Sequence, residues 1–447
     1  MRWFPLTILI SVAVPTGVGA QELSMEQAVA TALANNPAIQ AADERSKAAA
    51  ARSKQAKGHR WFSLDLSEIY SYTNNPAEVF AFKLNQGRFD FGEFTMTDPN
   101  NPDWLSTWIT SLELTVPIYT GGQLGNRIDQ ADHMASAEEL RCAHARNQAA
   151  VDTITAYTNL AKAREQVGLM TQSRATTAEH VSLAESYAEQ GLILDAEVLK
   201  ARVFLAQMDE FVAQANNGAR LAEAALNFEM GTDQNTPRQI APLPPPPTAP
   251  GDLEDWVDAA VERRRDLRAA RMELEAGRLE EKTTKPWYLP EVAARGKYEL
   301  YDDAIFGSNG HSGSIVAFAR FSLFQGGSDS ASREAAHHEA AAGEADIQRF
   351  EEGVRLEVQQ AWHDLHTSHA RHDTATNSLA AAREALRVRE HRFKQGLDKM
   401  IDLLDAETAL REAELRELVA RYDVSLSAYR LFFVSGGSPI QSTEEPS

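Results

Sequence analysis

From Trp61 the chain alternates apolar and polar residues: Phe62, Leu64, Leu66, Tyr70 and Tyr72 fall on one side, Ser63, Asp65, Ser67 and Ser71 on the other. That period of two predicts a strand with one apolar and one polar face. A second run, Trp104 to Ile118, sets Trp108, Leu112, Leu114, Val116 and Ile118 against Thr107, Ser111, Glu113 and Thr115, which predicts a hairpin over about 61–118. The segment between them, Thr73 to Asp103, is rich in Asn, Asp, Gly and Pro and reads as one long loop. Upstream, LSMEQAVATALANNP and the stretch to Lys57 read as a short helix, a break near Asn36-Pro37, and a second helix.

Beyond the hairpin the pattern turns helical, with no proline from Gln123 to Gln190. At 1.5 Å per residue such a helix would be on the order of 100 Å long. Gly191 then supplies a left-handed residue to end it, and a return helix follows over about 192–230. In that helix Leu205, Met208, Val212, Ala215, Ala219, Ala222 and Leu226 are spaced alternately by three and four, a heptad seam for antiparallel packing.

The whole order is then repeated. Gly121-Gly122 recurs as Gly326-Gly327, Tyr157 as Trp362, and Gly191-Leu192 as Gly396-Leu397, each 205 residues later. NNPAIQAA, ending at Ala42, matches RRDLRAA, ending at Ala270, with an offset of 228, so the first copy carries 23 additional residues, which must sit in its hairpin loop. The predicted organisation is a first repeat over 21–236, with its long helix at about 122–190, and a Pro-rich linker over 237–250. The second repeat spans 251–434, with a hairpin at about 288–323, a long helix at about 328–395 and a return helix at about 398–434, before a flexible tail, 435–447.

Residues 1–20 carry Arg2, an apolar stretch from Leu6 to Val14 and small residues at Val18-Gly19-Ala20, the pattern of a secretory signal peptide. Elsewhere no apolar run approaches the length of a spanning helix, so any membrane span must be built of strands. The single cysteine, Cys142, is expected to be a buried small hydrophobe, and no lipid anchor is expected. With 64 acidic against 44 basic residues and a net charge of −20, the chain has no basic tract for nucleic acid.

Four amphipathic strands cannot close a membrane barrel, which needs at least about eight. Two chains would supply eight strands and three would supply twelve. Long helices with modest apolar seams likewise have to pack against one another.

The duplicated order of short helices, β-hairpin, Gly-Gly, long helix, Gly-Leu turn and heptad return helix resembles the TolC-type outer-membrane efflux factors. VPIYTGGQ at Val116 and FSLFQGGS at Phe321 are similar to that family's strand-to-helix junctions, placing Gly121, Gly122, Gly326 and Gly327 there. YAEQGLILDAEVLKAR and FKQGLDKMIDLLDAE are similar to its periplasmic tips. The resemblance implies a mainly α tandem-repeat fold, whose homotrimer joins four strands per chain into a twelve-stranded outer-membrane barrel continued by an α-helical tunnel across the periplasm. It implies the outer membrane of a Gram-negative bacterium and passive exit of substrates in a tripartite efflux or type I secretion system. The partners would be outer-membrane lipid, a periplasmic adaptor (membrane fusion) protein and an inner-membrane transporter of the RND or ABC type.

Asp402 and Asp405 lie about one helical turn apart, and the resemblance makes them acidic rings at the tunnel's periplasmic constriction; the alternative is that they only cap their helix. Glu197 occupies the first-repeat position matching Asp402. Gly191, Leu192, Gly396 and Leu397 become the adaptor-docking tips. Where some family members carry Tyr and Arg around the second turn, this chain has Phe393 and Asp398, so a latch of those hydrogen bonds is not expected.

His363, His366, His369 and His372 recur every third residue, a spacing that drifts around a helix and cannot bring all four to one ion; no metal and no cofactor is expected. HExxH, GxxxxGK followed by Ser or Thr, and GxSxG are absent, so an enzyme is not expected. The alternative reading, a periplasmic coiled-coil adaptor, explains the helical hairpins but not the duplicated membrane-type strands.

Overall fold

The alternating runs assemble into one antiparallel sheet. The computed structural model describes residues 22–92, 98–249, 251–283 and 289–437; the expected signal peptide and nearly all of the tail lie outside them. In chain order the elements are α1 (Met25–Asn35), α2 (Pro37–Gly58), β1 (Ser63–Thr73), α3 (Pro76–Asn85), β2 (Leu105–Tyr119), α4 (Gln123–Glu189) and α5 (Asp195–Glu229). They continue with α6 (Leu253–Arg263), α7 (Arg265–Thr283), β3 (Glu291–Asp302), β4 (Gly310–Arg320), α8 (Ser328–Lys394) and α9 (Met400–Val434). Two compact units result: one holds Glu44–Leu140 and Leu267–Phe350, the other the described residues up to Asp43, Arg141–Asp266 and those from Glu351 onward.

The first unit contains the sheet, ordered β1-β2-β3-β4 with every neighbour antiparallel. Leu64 pairs with Leu114, Leu66 with Leu112 and Tyr70 with Trp108; across the next strand Leu112 meets Tyr298, and Gly296 meets Ile315. Paired residues point to the same side, so these positions form one continuous apolar face. That face is open to its surroundings: Leu66 is 65% and Ile315 89% exposed. Aromatic rings are paired along it, Tyr70 with Trp108 at 4.8 Å and Tyr72 with Trp104 at 4.9 Å. The opposite face is polar, with Glu113 bound to Arg295 at 3.0 Å and Lys297 to Glu299 at 2.6 Å. A water-soluble sheet buries its apolar face; this one displays it. The outer edges of β1 and β4 pair with no strand among the described residues.

The segment expected to be one long loop contains a helix, α3. Asn75 accepts a hydrogen bond from the Ala77 amide and Pro76 occupies the first turn, so the dipeptide that reads as a loop signal is a helix start. At the other end of the second hairpin, β4 stops at Arg320, so Phe321 and Leu323 lie beyond the strand rather than on its apolar face.

In the second unit, α1 begins with a capping box: the Gln27 amide donates to Ser24 Oγ at 3.2 Å and the Ser24 amide to Gln27 Oε1 at 3.0 Å. Met25, Val29, Ile154, Tyr157, Leu160, Leu226 and Met230 pack into one core. The Pro-rich linker is tied to this core. Leu23 and Ile240 form an isolated parallel β-bridge, and the Tyr157 hydroxyl shares its one proton between the carbonyls of Leu23 and Ala241, at 2.8 and 2.7 Å. Burial pushes that hydroxyl's pKa up to about 12, so it stays a donor. Cys142 is buried, as a small hydrophobe would be.

Close backbone approaches repeat between the halves. Gly231 takes φ 65° against the Asn35 carbonyl, where an added Cβ would lie 2.5 Å from the oxygen; Gly436, 205 positions on, takes φ 82° with a Cβ position 3.0 Å from Arg263. Only glycine fits either place.

Candidate functional site

Two helical turns, one per repeat, meet in a shared core. Val181 and Ala184 of α4, Val198 and Ala201 of α5, Leu386 and Phe393 of α8, and Met400, Leu403 and Leu404 of α9 are all buried in one cluster. Tyr187 stacks on Phe393 with ring centroids 5.8 Å apart. The turns that close these hairpins are the same object built twice. Gly191 has φ 72° and Gly396 φ 73°. The Gly191 amide donates to the Ala188 carbonyl and the Leu192 amide to that of Tyr187, both at 2.9 Å; Gly396 donates to Phe393 at 2.9 Å and Leu397 to Arg392 at 3.0 Å. This is the paired hydrogen bonding of a left-handed C-terminal cap. It turns Leu192 and Leu397 outward, 65% and 62% exposed, with Leu194 at 74%. Each tip therefore offers an apolar knob on a rigid turn.

The acidic residues separate by environment. Asp402 is partly buried and its Oδ2 accepts the Lys399 amide at 3.2 Å, so it caps α9. Asp405, one turn on, is exposed. Glu197 is half-buried and holds Lys200 at 3.0 Å, a lysine at the position where the second repeat carries Asp405. The Gly121-Gly122 and Gly326-Gly327 pairs all take positive φ, between 63° and 83°, and each lets a long helix start at once: the Asn126 amide donates to Gly122 and that of Ala331 to Gly327, both at 3.1 Å.

Three polar features at the tips escaped the sequence reading. Asp398, identified only as a departure from the family pattern, is clamped by two guanidiniums from the end of α8, Arg389 at 3.0 Å and Arg392 at 2.9 Å. Arg392, hydrogen bonded to it, holds its carboxyl below the usual range. The Arg-x-x-Arg spacing before the turn was the available signal. Deeper in, His180 of α4 lies 2.8 Å from Glu407 and 3.8 Å from Glu390, with Thr177 3.4 Å from Glu407. Burial alone would lower the imidazole's pKa, but the Glu407 and Glu390 carboxylates outweigh it and the group is raised. Arg411, a turn beyond Glu407, is buried between the rings of Phe204 and Phe211 at 5.5 and 5.2 Å, a pair of cation–π contacts. Burial lowers its pKa. No sequence period reveals these groups, because they meet only when helices from both repeats pack.

The histidine run does not converge. His366 Nδ1 lies 2.9 Å from the Trp362 carbonyl, His363 meets the Trp362 ring edge-on, and His372 reaches Glu417 at 3.6 Å. Among the described residues no three metal-ligating side chains gather, and no helix is long and apolar enough to cross a membrane.

Comparison with known proteins agrees with this arrangement. The chain is 24% identical to the alkaline protease secretion protein AprF of Pseudomonas aeruginosa over 91% of this chain and 82% of AprF. It is 19% identical to the outer membrane efflux protein BepC of Brucella suis, over 77% of this chain and 76% of BepC. Its fold superposes on the crystal structure of the Campylobacter jejuni CmeC outer membrane channel with a TM-score of 0.79 at 16% identity, covering 94% of this chain and 87% of CmeC. The outer membrane efflux protein model matches residues 28–232 and again 256–437, one match on each half of the duplicated chain, and the protein belongs to that family.

Proposed function

We propose that three copies of this chain form an outer-membrane exit duct, which passively conducts substrates handed over by an inner-membrane transporter. The observation that carries this reading is the sheet. It has four strands, two unpaired edges, a displayed apolar face and a polar reverse. Pairing β4 of one copy with β1 of the next removes every edge, and three copies make twelve strands with lipid outside and water inside. The helices continue the barrel as a periplasmic tunnel, and its tips are the two glycine turns. Leu192 and Leu397 fit an adaptor's helical hairpin as apolar knobs on fixed backbone. Asp405, with Asp402 and Glu197 behind it, lines the constriction with carboxylates and favours cations. Relatives named for secretion and for efflux support a duct for either kind of cargo, with a transporter of the RND or ABC type as donor. Such a duct needs neither a catalytic residue nor a cofactor.

Single-channel recording from purified trimers in a planar bilayer tests this. Discrete cation-preferring openings are expected, with the preference reduced by Asp402→Ala plus Asp405→Ala. Membrane-inserted trimers that never conduct, even after the tip is loosened by Asp398→Asn, would overturn the duct. An unchanged ion preference in the double variant would remove the acidic constriction alone.

A further inference from the structure

The two hairpins that carry the tips are stitched differently. In the first, Glu185 of α4 binds Arg202 of α5 across the hairpin at 2.7 Å. The matching positions of the second hairpin, 205 residues on, are Glu390 of α8 and Glu407 of α9, so a carboxylate stands where the first repeat has a guanidinium. Both carboxylates reach one imidazole, His180 Nε2, at 3.8 and 2.8 Å, so their nearer oxygens are no farther apart than those two distances end to end. His180 comes from α4, in the first repeat; its counterpart in the second is Ala385, so the contact is made once and joins the repeats. The site is enclosed. The His180 and Glu407 side chains are 9% and 7% exposed, and neither His180 Nε2 nor Glu407 Oε1 has another polar partner. Two carboxylates facing each other in such a place repel unless a cation stands between them. Other charges do not take that part. Lys394 of α8 and Arg411 of α9 act on the cluster from a distance and pair with neither carboxylate among the described residues, while Arg202 of α5 is held by Glu185.

We propose that His180 is a proton-operated fastener between the repeats: charged, it binds α4 to both helices of the second hairpin and holds the tip shut; neutral, it lets that hairpin part. This rests on the duct proposed above. The lever is α9. Glu407 follows Asp405 by two residues on the same unbroken helix, so pinning Glu407 to α4 also fixes where Asp402 and Asp405 stand. Once the proton leaves, Glu407 keeps only the Thr177 hydroxyl, 3.4 Å away, as a charge-bearing contact with α4, and the facing Glu390 drives α8 and α9 apart. Imidazole is the side chain whose charge ordinarily changes between about pH 5 and pH 8. Burial opposes the charge here, but Glu407 and Glu390 outweigh it and hold the proton to higher pH than usual. The closed state is therefore favoured in mild acid and released as the pH rises. The first hairpin has no such response, because a carboxylate–guanidinium pair keeps both charges throughout that range.

Single-channel recording from trimers in a planar bilayer at about pH 6 and about pH 8 tests this. Open probability is expected to rise about tenfold between the two, the scale of one hydrogen bond to a charged group. His180→Gln, which cannot carry the charge, should be open and flat across the range. Glu390→Gln leaves Glu407 as the only facing carboxylate, so the rise should move to lower pH. A response that came from the constriction carboxylates instead would survive His180→Gln. An open probability of the native chain that is flat over this range, or a slope that survives His180→Gln, would overturn the fastener and leave the duct standing. Where His180→Gln fails to assemble, Glu390→Gln decides alone, and a midpoint it does not move would overturn the fastener equally. Membrane-inserted trimers silent at both pH values and in every variant would overturn the duct reading beneath it.

Discussion

The two tips share a backbone and differ in chemistry. At Gly191 and Gly396 the dihedral angles and the paired hydrogen bonds are nearly the same, and both following leucines point outward. The side chains around them are not alike. Ile193 stands in the first tip where Asp398 stands in the second, and Lys200 where Asp405 stands. Duplication has kept what the chain needs in order to turn and has varied the charges around it. The first tip holds Glu185, Asp195, Glu197, Lys200 and Arg202, with Glu197 bound to Lys200 and Glu185 to Arg202; the second holds Arg389, Arg392, Asp398, Asp402 and Asp405, with Asp398 bound to both arginines. A partner reading only backbone and leucine would see two equivalent sites; one reading charge would see two different ones.

The largest effect is expected where the two repeats are joined by a buried charge. Glu407→Ala leaves His180 against Glu390 alone and should destabilise the tip by about 3 kcal/mol, the cost of breaking a buried pair. Thermal melting of the trimer's helical signal measures it. The same pair gives the tip a pH dependence of definite sign. The raised His180 contributes its stabilisation fully below its ordinary value of about 6.5 and loses it as pH rises through the higher folded value. Glu390, Lys394 and Glu407 are the charged groups that set that value. Melts should therefore weaken from mildly acid to mildly alkaline pH, and Glu407→Gln should flatten the trend.

Backbone equivalence can be broken more directly. A Cβ at either Gly191 or Gly396 would meet no heavy atom within 4 Å, so substitution costs only the left-handed conformation. Gly191→Val and Gly396→Val should each destabilise by about 1–2 kcal/mol, and by the same amount. Unequal losses in denaturant melts would show that the turns are not energetically the same.

What the residues alone disclose follows the range of the interaction. Period-two runs such as Leu64 to Tyr72 mark the sheet, and Gly191 and Gly396 mark the turns, because strand faces and left-handed caps are set by neighbours in the chain. α3 was hidden for a local reason too. Its ten residues open on Pro76 straight after Thr73-Asn74-Asn75 and precede a Gly- and Asp-rich stretch, so composition outweighed the helical spacing of Val79, Phe82 and, just past its end, Gln86. The His180–Glu407 contact and the ring-stacked Arg411 belong to a different class. Nothing near either residue in sequence specifies the partner, since the meeting depends on which faces of α4, α5 and α9 pack together.

The smallest effect sharpens the comparison most. Asp398 binds two arginines from its own hairpin; its carboxyl is only 5% exposed, but the guanidiniums that cover it are 46% and 48% exposed and screened by water. Asp398→Asn keeps the side chain's shape and leaves both arginines in contact with solvent, so it should lower the stability by no more than about 1 kcal/mol. It should loosen the turn locally, with exchange of the Gly396 and Leu397 amides accelerated by less than about fivefold and those of Gly191 and Leu192 untouched. Because the depressed Asp398 carboxyl keeps its charge to low pH, acidification to about pH 5 should not reproduce the variant. If the first tip loosened as well, the clamp would be acting through the shared core of Leu386, Phe393 and Val198 rather than within its own turn, and the two tips would have to be treated as one mechanical element.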